Sequence, residues 1–190
     1  EFGSLQDLIN HKKSDEIGLK LRVKMMIDGS KGITYLHENG ILHRDIKPDN
    51  FLVFSIELND LVNAKLTDFG SSRNINLLMT NMTVTKGIGT PVYMAPEILR
   101  REKYKKPADV YSFAVTMYQT FKWKEPYPIN VFEHSWDIAN FIVSGERLER
   151  PKDMREDLYL IISESWCGDT KLRNEINDIQ HKLETVFIDL

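Results

Sequence analysis

Three short motifs in a fixed order constrain this chain more than any other feature of its sequence. Residues 43–50 read His-Arg-Asp-Ile-Lys-Pro-Asp-Asn, residues 68–70 read Asp-Phe-Gly, and residues 95–97 read Ala-Pro-Glu. Each motif taken alone is commonly a surface cluster or a turn. Because all three occur in one order and at compatible spacings, we interpret them as parts of a single polar site.

Apolar residues at helical spacing predict a mainly α fold around these motifs. Leu19 to His37 carry one apolar stripe, and Asn39-Gly40 is a favoured helix end, so we expect one long helix there. Between Val110 and Phe121 apolar residues occupy nearly every side, which predicts a buried central helix. Further helices are predicted at Leu5–Ile9, Ser135–Ser144, Met154–Trp166 and Leu172–Val186, and brief strands at Ile41–Leu42, Phe51–Phe54 and Ala64–Thr67.

Composition narrows the class of protein. With 190 residues, of which 42% are hydrophobic, the chain can bury a substantial core. A net charge of -3 gives no strong field for nucleic acid or an anionic membrane, so we expect neither as a partner. Cys167 is the single cysteine, which excludes an intrachain disulfide, and no apolar run is long enough for a membrane span. We therefore expect a cytoplasmic protein.

The motifs resemble the catalytic loop, the metal-binding motif and the end of the activation segment of eukaryotic protein kinases. Lys106–Phe113 and Trp166–Arg173 resemble scaffold elements of the tyrosine-kinase-like serine/threonine kinases, so the resemblance extends over essentially the whole chain. It implies the carboxy-terminal lobe of a kinase domain, which is a mainly α helical bundle with a few short β-strands near the catalytic loop.

The amino-terminal lobe of the family precedes the catalytic loop with a glycine-rich loop, a strand lysine and a helix glutamate. Here 42 residues stand before His43, so we expect residues 1–190 to be the carboxy-terminal lobe alone, starting just after the interlobe hinge. Gly87–Gly89 lacks a third glycine, and Val62–Lys65 lies after the catalytic loop, so neither replaces the missing clamp. We expect such a fragment to be nearly inactive.

The resemblance assigns a role in phosphoryl transfer from ATP to each polar residue of the site. Asp45 would orient the attacking hydroxyl, and Lys47 would stabilise charge on the transferring phosphoryl group. Asn50 and Asp68 would bind Mg²⁺ through hard oxygen atoms. Leu52 would form the floor of the adenine pocket.

Substrate class is indicated by two features. The Lys47-Pro48-Asp49-Asn50 form is typical of kinases that modify serine or threonine, so the expected partner is a protein substrate with such a residue. Thr90, within Gly89-Thr90-Pro91, matches a threonine that the family places beside the catalytic Asp and Lys, on the substrate shelf.

Other residues are implied to regulate or support the site. His43 and Phe69 are interpreted as packing elements, and Arg44 as a partner for a phosphate on the activation segment. Candidate phosphate acceptors are Thr80, Thr83 and Thr85. It is equally consistent with the sequence that these threonines are simply solvated.

Two contacts are implied at a distance from the loops. Asp109 would accept hydrogen bonds from catalytic-loop amides, although it could also serve only as a helix cap. Glu97 and Arg173 would form an ion pair, because the family pairs the glutamate of Ala-Pro-Glu with a late arginine.

An alternative function remains open, namely a non-catalytic, pseudokinase-like or scaffold interaction module. The intact set of Asp45, Lys47, Asn50 and Asp68 favours the enzyme. If the amino-terminal lobe is absent, the face that would meet it should expose apolar groups such as Leu42, Leu52 and Phe69. We then expect self-association through that face and a disordered or displaced activation segment.

Overall fold

The computed structural model describes residues 2–74 and 91–190. The fold is mainly α. Its helices are α1 (Leu5–His11), α2 (Leu19–Glu38), α3 (Pro96–Leu99), α4 (Lys106–Lys122), α5 (Ser135–Val143), α6 (Glu156–Ser165) and α7 (Ile176–Asp189), and its strands are β1 (Ile41–Leu42), β2 (Phe51–Val53), β3 (Ala64–Leu66) and β4 (Arg73–Asn74). The prediction of a disordered or displaced activation segment falls largely on residues 75–90, which lie outside these described ranges.

Helix α4 forms the centre of the helical core. Every residue from Ala108 to Phe121 is buried, which confirms the prediction of a helix covered on all sides. Helix α2 packs against both α4 and α7, and α6 packs against α4. The end of α2 was also predicted correctly, because Asn39 caps it and Gly40 follows with a left-handed φ of 68°.

Glycine at position 29 lets α2 approach the strand that follows the first motif. A Cβ atom at Gly29 would lie 2.2 Å from Cε1 of Phe51, a separation that no real side chain allows. Phe51 is fully buried and its ring stacks on that of Phe113 in α4, with centroids 6.3 Å apart. The first residue of β2 is therefore fixed between the two longest helices.

Two antiparallel strand pairs flank the polar motifs. Strand β2 pairs with β3 in the register Phe51–Leu66 and Val53–Ala64, and β1 pairs with β4 in the register Ile41–Asn74. Strand β4 was not predicted, because two residues carry no readable alternation. Its pairing with β1 brings the chain back beside the start of the first motif.

The last two long helices begin later than their apolar residues suggest. Helix α7 begins at Ile176 rather than Leu172, because Arg173 is held in the preceding turn by Glu97 and by two backbone carbonyls. Leu172 itself is 69% exposed. Met154 is buried in a turn before α6, so it contributes to the core without belonging to the helix.

Candidate active site

A buried carboxylate holds the backbone of the first motif. Asp109 is fully buried; its Oδ2 accepts from the His43 amide at 3.0 Å and its Oδ1 accepts from the Arg44 amide at 2.9 Å. His37 Nε2 donates to Oδ2 at 2.9 Å, and the Tyr104 hydroxyl donates to Oδ1 at 2.8 Å. Burial disfavours the charged form, but the His37 contact and the two amides outweigh it and lower the pKa of Asp109.

These contacts include the hydrogen bonds from catalytic-loop amides that the resemblance implied for Asp109. The alternative role as a helix cap is not what its oxygens do, since all four bonds go to groups outside α4. At the first turn of α4, the N-cap residue Lys105 makes no side-chain capping bond. Asp109 therefore joins the central helix to the polar loop.

Arg44 has a strained backbone that these bonds maintain. Its φ of 73° lies in the left-handed region, which costs a residue with a side chain roughly 1–2 kcal/mol. The residue is 8% exposed, and its guanidinium carbon lies 5.6 Å from the ring centroid of Tyr104. Arg44 was predicted to pair with a phosphate on Thr80, Thr83 or Thr85. These three threonines lie outside the described residues, as does Thr90.

Asp45, Lys47 and Asn50 form one cluster within the loop. Lys47 Nζ lies 3.1 Å from Asp45 Oδ2, and Asn50 Nδ2 donates to the same oxygen at 3.1 Å and to the Asp45 carbonyl at 2.6 Å. The side chains of Asp45 and Lys47 are 17% and 22% exposed, so solvent reaches the pair without surrounding it. Both donors converge on one carboxylate oxygen.

The loop after β3 is hydrogen-bonded directly to this cluster. The Thr67 amide donates to the Asn50 carbonyl at 2.8 Å, and the Thr67 carbonyl accepts from His43 Nε2 at 2.9 Å. Asp68 follows immediately, with a left-handed φ of 59°, an exposed side chain and an Oδ1 that accepts from the Gly70 amide at 3.2 Å. The first two motifs are therefore neighbours in space.

His43 and Phe69 hold the two loops together by packing. Their rings meet edge to face at a centroid distance of 5.6 Å and an interplanar angle of 66°. His43 is fully buried, while Phe69 is 54% exposed. This geometry suits the supporting role that the resemblance implied for both.

The donor set fits Mg²⁺ in the way expected for a nucleotide-bound metal. Asn50 uses Nδ2 toward Asp45, which leaves its Oδ1 as an acceptor, and the Asp68 carboxylate is exposed. Among residues 2–74 and 91–190 there is no group of three or more His, Cys, Asp or Glu that could hold a metal. Two protein oxygens completed by phosphates and water match magnesium, which seldom occupies an all-protein cage.

Leu52 lies on the outer face of β2, with 40% of its surface exposed. Residues 2–4 run beside this strand, because Phe2 donates to the Val53 carbonyl at 3.2 Å and Val53 donates to the Gly3 carbonyl at 2.9 Å. Ser4 forms a bridge with Leu52. This position of Phe2 could not be predicted, since backbone pairing of this kind leaves no signal in the amino-acid composition.

One prediction about the exposed face is wrong. Leu42 has 0% exposure in strand β1, where it pairs with Arg73 of β4. Leu52 and Phe69 remain exposed, at 40% and 54%. The apolar surface beside the loops is thus smaller than the sequence suggested.

Glu97 and Arg173 form the buried ion pair that the resemblance implied. Arg173 Nη1 and Nη2 donate to the two carboxylate oxygens of Glu97 at 2.7 and 2.8 Å. Nη1 also donates to the Pro107 carbonyl and Nε to the Cys167 carbonyl, while the Tyr111 ring lies 5.1 Å from the guanidinium. A planar donor fork meeting a carboxylate in this way fixes position as well as charge.

A helical fold in which an Asp-Lys-Asn cluster meets an Asp-Phe-Gly turn, on a loop that is anchored to a central helix, defines a protein of the protein kinase class. The comparison with known families agrees: the protein kinase domain family matches residues 1–183. The chain belongs to that family.

Its similarity to individual proteins supports the same assignment. It is 38% identical over 149 residues to "Probable serine/threonine-protein kinase gdt9" of Dictyostelium discoideum, a match that covers 78% of this chain and 9% of that protein. It is 36% identical over 180 residues to "Putative serine/threonine-protein kinase/receptor R818" of Acanthamoeba polyphaga mimivirus, covering 93% and 10%. To "Dual specificity protein kinase shkC" of Dictyostelium discoideum it is 31% identical over 195 residues, covering 98% and 36%. The chain thus spans about a tenth of the first two relatives and about a third of the last.

Three residues that support the site were not identified as site residues from the sequence. His37 was placed on an apolar stripe, and Thr67 and Tyr104 carried no assigned role. A polar residue on an otherwise apolar stripe indicates a buried partner, so His37 had a readable signal.

No helix in the described ranges is both long and apolar enough to cross a membrane.

Proposed function

We propose that this chain supplies the catalytic lobe of a protein serine/threonine kinase of the tyrosine-kinase-like branch, which transfers the γ-phosphoryl group of Mg-ATP to a protein hydroxyl. The observation that carries the proposal is the Asp45–Lys47–Asn50 cluster joined through Thr67 to Asp68. The intact set of polar groups favours catalysis over a purely scaffolding role.

Each side chain has a separate task in that reaction. Asp45 directs Oδ2 toward Lys47 and Asn50, so Oδ1 is left to accept the hydrogen bond of the attacking hydroxyl and orient it. The Lys47 ammonium group lies where it can stabilise charge on the transferring phosphoryl group. When bound by Asn50 and Asp68, magnesium would neutralise phosphate charge and orient the terminal phosphoryl group.

The preference for serine and threonine rests on Lys47 and on the relatives. Two of the three relatives named above are described as serine/threonine kinases and the third as a dual-specificity kinase. We therefore propose serine and threonine as the acceptors, with tyrosine as the comparison that tests this choice.

The proposal also includes a requirement for a nucleotide-clamping lobe. The 42 residues before His43 contain neither a glycine-rich loop nor a strand lysine, so residues 1–190 by themselves would neither cover the triphosphate nor hold it from above. We expect the chain alone to transfer phosphate very slowly, and a two-lobe form, in which a kinase amino-terminal lobe is joined ahead of residue 2, to transfer it readily.

Transfer of the labelled γ-phosphate to serine, threonine and tyrosine acceptor peptides tests the function. We expect the two-lobe form to label serine and threonine, and Asp45→Asn to lower the rate by about 10²–10⁴-fold because the orienting carboxylate is lost. Asp49→Asn is the matched control, since Asp49 is exposed in the same loop. Equal rates for the Asp45 and Asp49 variants, or no transfer by the two-lobe form, would favour the interaction-module alternative.

A further inference from the structure

We propose that Tyr104 is a positioning residue that fixes Arg44, and through it the orientation of Asp45. This inference rests on the proposed function, because Asp45 is the residue whose task it explains. Tyr104 lies outside the three motifs, in the segment between α3 and α4.

Tyr104 is linked to Arg44 in two ways, directly through its ring and indirectly through the Asp109 carboxylate. Its hydroxyl donates to Asp109 Oδ1 at 2.8 Å, the same oxygen that accepts the Arg44 amide at 2.9 Å. Its ring lies under the Arg44 guanidinium, with 5.6 Å between the guanidinium carbon and the ring centroid. Tyr104 therefore contacts the side chain of the residue that precedes Asp45, and it holds the carboxylate oxygen that accepts the backbone amide of the same residue.

Each carboxylate oxygen of Asp109 accepts hydrogen bonds from a different pair of donors. Oδ2 accepts from His37 and from the His43 amide, whereas Oδ1 accepts from Tyr104 and from the Arg44 amide. Loss of the Tyr104 hydroxyl should therefore affect Arg44 more than His43. The left-handed φ of Arg44, at 73°, makes this residue the one in the loop whose backbone most needs a constraint.

Tyr104 also connects the loop to the segment that carries the Ala-Pro-Glu motif. The Glu102 amide donates to the Glu97 carbonyl at 2.8 Å, and Glu97 is fixed by Arg173. Two residues after Glu102, Tyr104 reaches Asp109 and Arg44. Through these contacts, a displacement of the Ala-Pro-Glu motif at residues 95–97 would be transmitted to Arg44.

Burial and a neighbouring carboxylate both favour the protonated form of the Tyr104 hydroxyl. Burial, followed by the nearby Asp109 carboxylate, raises the pKa of Tyr104 well above its ordinary value. At neutral pH the phenol is therefore protonated and donates, and the ionised Asp109 carboxylate accepts.

Tyr118 offers a matched control within α4. It is a buried tyrosine whose hydroxyl donates to the Glu149 carbonyl at 3.0 Å, and Lys122 Nζ lies 5.5 Å from its ring centroid. Tyr118→Phe removes one hydrogen bond beside a cation-π contact, as Tyr104→Phe does, but at a residue that does not touch Asp109. The pair separates a local effect on the loop from a general loss of stability.

Amide hydrogen exchange on the chain tests the contact without requiring activity. In Tyr104→Phe we expect exchange at Arg44 to accelerate by about tenfold, the effect of losing one hydrogen bond, and more than exchange at His43. In Tyr118→Phe neither amide should change beyond any shift shared by the whole chain. Equal acceleration in both variants, or none at Arg44, would overturn the inference.

Kinetics in the two-lobe form test the positioning role itself. Tyr104→Phe should lower kcat about tenfold while the KM for ATP changes less than twofold, and Tyr118→Phe should change neither. An unchanged kcat for Tyr104→Phe beside an active parent would refute positioning. If the parent itself transfers no phosphate, the proposed function fails, but amide exchange still decides whether Tyr104 holds Arg44.

Discussion

At the scale of single residues, the site depends on charged groups that are each held by more than one partner. Asp109 accepts four hydrogen bonds, and one oxygen of Asp45 contacts both Lys47 and Asn50. Arg173 donates to both carboxylate oxygens of Glu97 and to two backbone carbonyls. Buried charge is costly unless it is paired in this way. Removing one member should therefore cost more than the loss of a surface contact.

Arg173→Ala tests this at the Glu97 ion pair. We expect it to lower the free energy of unfolding by about 3–5 kcal/mol, because it leaves Glu97 buried without its partner. Arg155→Ala is the control: the Arg155–Asp157 pair is as short, at 2.5 Å, but both side chains are 38% exposed, so the loss should stay below about 1 kcal/mol. Urea unfolding measures both, and equal losses would contradict the account.

At the scale of elements, the position of the catalytic loop depends on how closely α2 approaches β2. Phe51 follows Asn50 directly and fills the space above Gly29. Helices that carry glycine at a contact lose some intrinsic stability, so the close approach must outweigh that loss. Glycine is here a packing requirement, since Gly29 has an ordinary helical backbone.

Gly29→Ala should destabilise the protein, because the new Cβ would lie 2.2 Å from the Phe51 ring and one element must move. Overpacking of this kind typically costs about 1–3 kcal/mol. Gly32→Ala, one turn further along the same helix, meets Leu66 Cβ at an ordinary 3.4 Å. That variant should be neutral, or more stable by up to about 1 kcal/mol through helix propensity. Thermal unfolding measures the stability change in each variant, and changes of the same sign and size in both would contradict the packing argument.

Much of this architecture could be predicted from the sequence, because periodicity and motif order are local signals. The central helix, the long α2 and the adjacency of the first two motifs follow from such signals. The late start of α7 did not, because Arg173 is removed from the helix by a partner 76 residues away. The pairing of residues 2–4 with β2 and the contact of Tyr104 with Asp109 also depend on long-range contacts.

At the scale of the whole molecule, the exposed apolar side chains beside the loops are a predicted contact surface. Leu52 is 40% and Phe69 54% exposed, although Leu42 is buried. The family resemblance implies that the amino-terminal lobe of a kinase domain would meet this region. On the chain alone, exposed apolar groups of this size favour association.

Sedimentation velocity over a wide concentration range tests that proposal. We expect the average mass of the chain to rise with concentration, and the double variant Leu52→Ser with Phe69→Ser to reduce the rise. Leu160→Ser is the control, because Leu160 is 55% exposed on α6. A strict monomer at high concentration, or an equal reduction by the Leu160 variant, would count against this surface.

The central claim is that the loops carrying Asn50 and Asp68 build one metal and phosphate site. Nuclear magnetic resonance of the two-lobe form with Mn²⁺ and a non-hydrolysable ATP analogue measures this directly, since the paramagnetic ion broadens resonances close to it. We predict strong broadening of the Asn50 side-chain amide and of the Gly70 backbone amide. The Asn174 side-chain amide, which is hydrogen-bonded to Glu164, is the control and should be unaffected. Broadening that spares Asn50 and Gly70 would contradict the account.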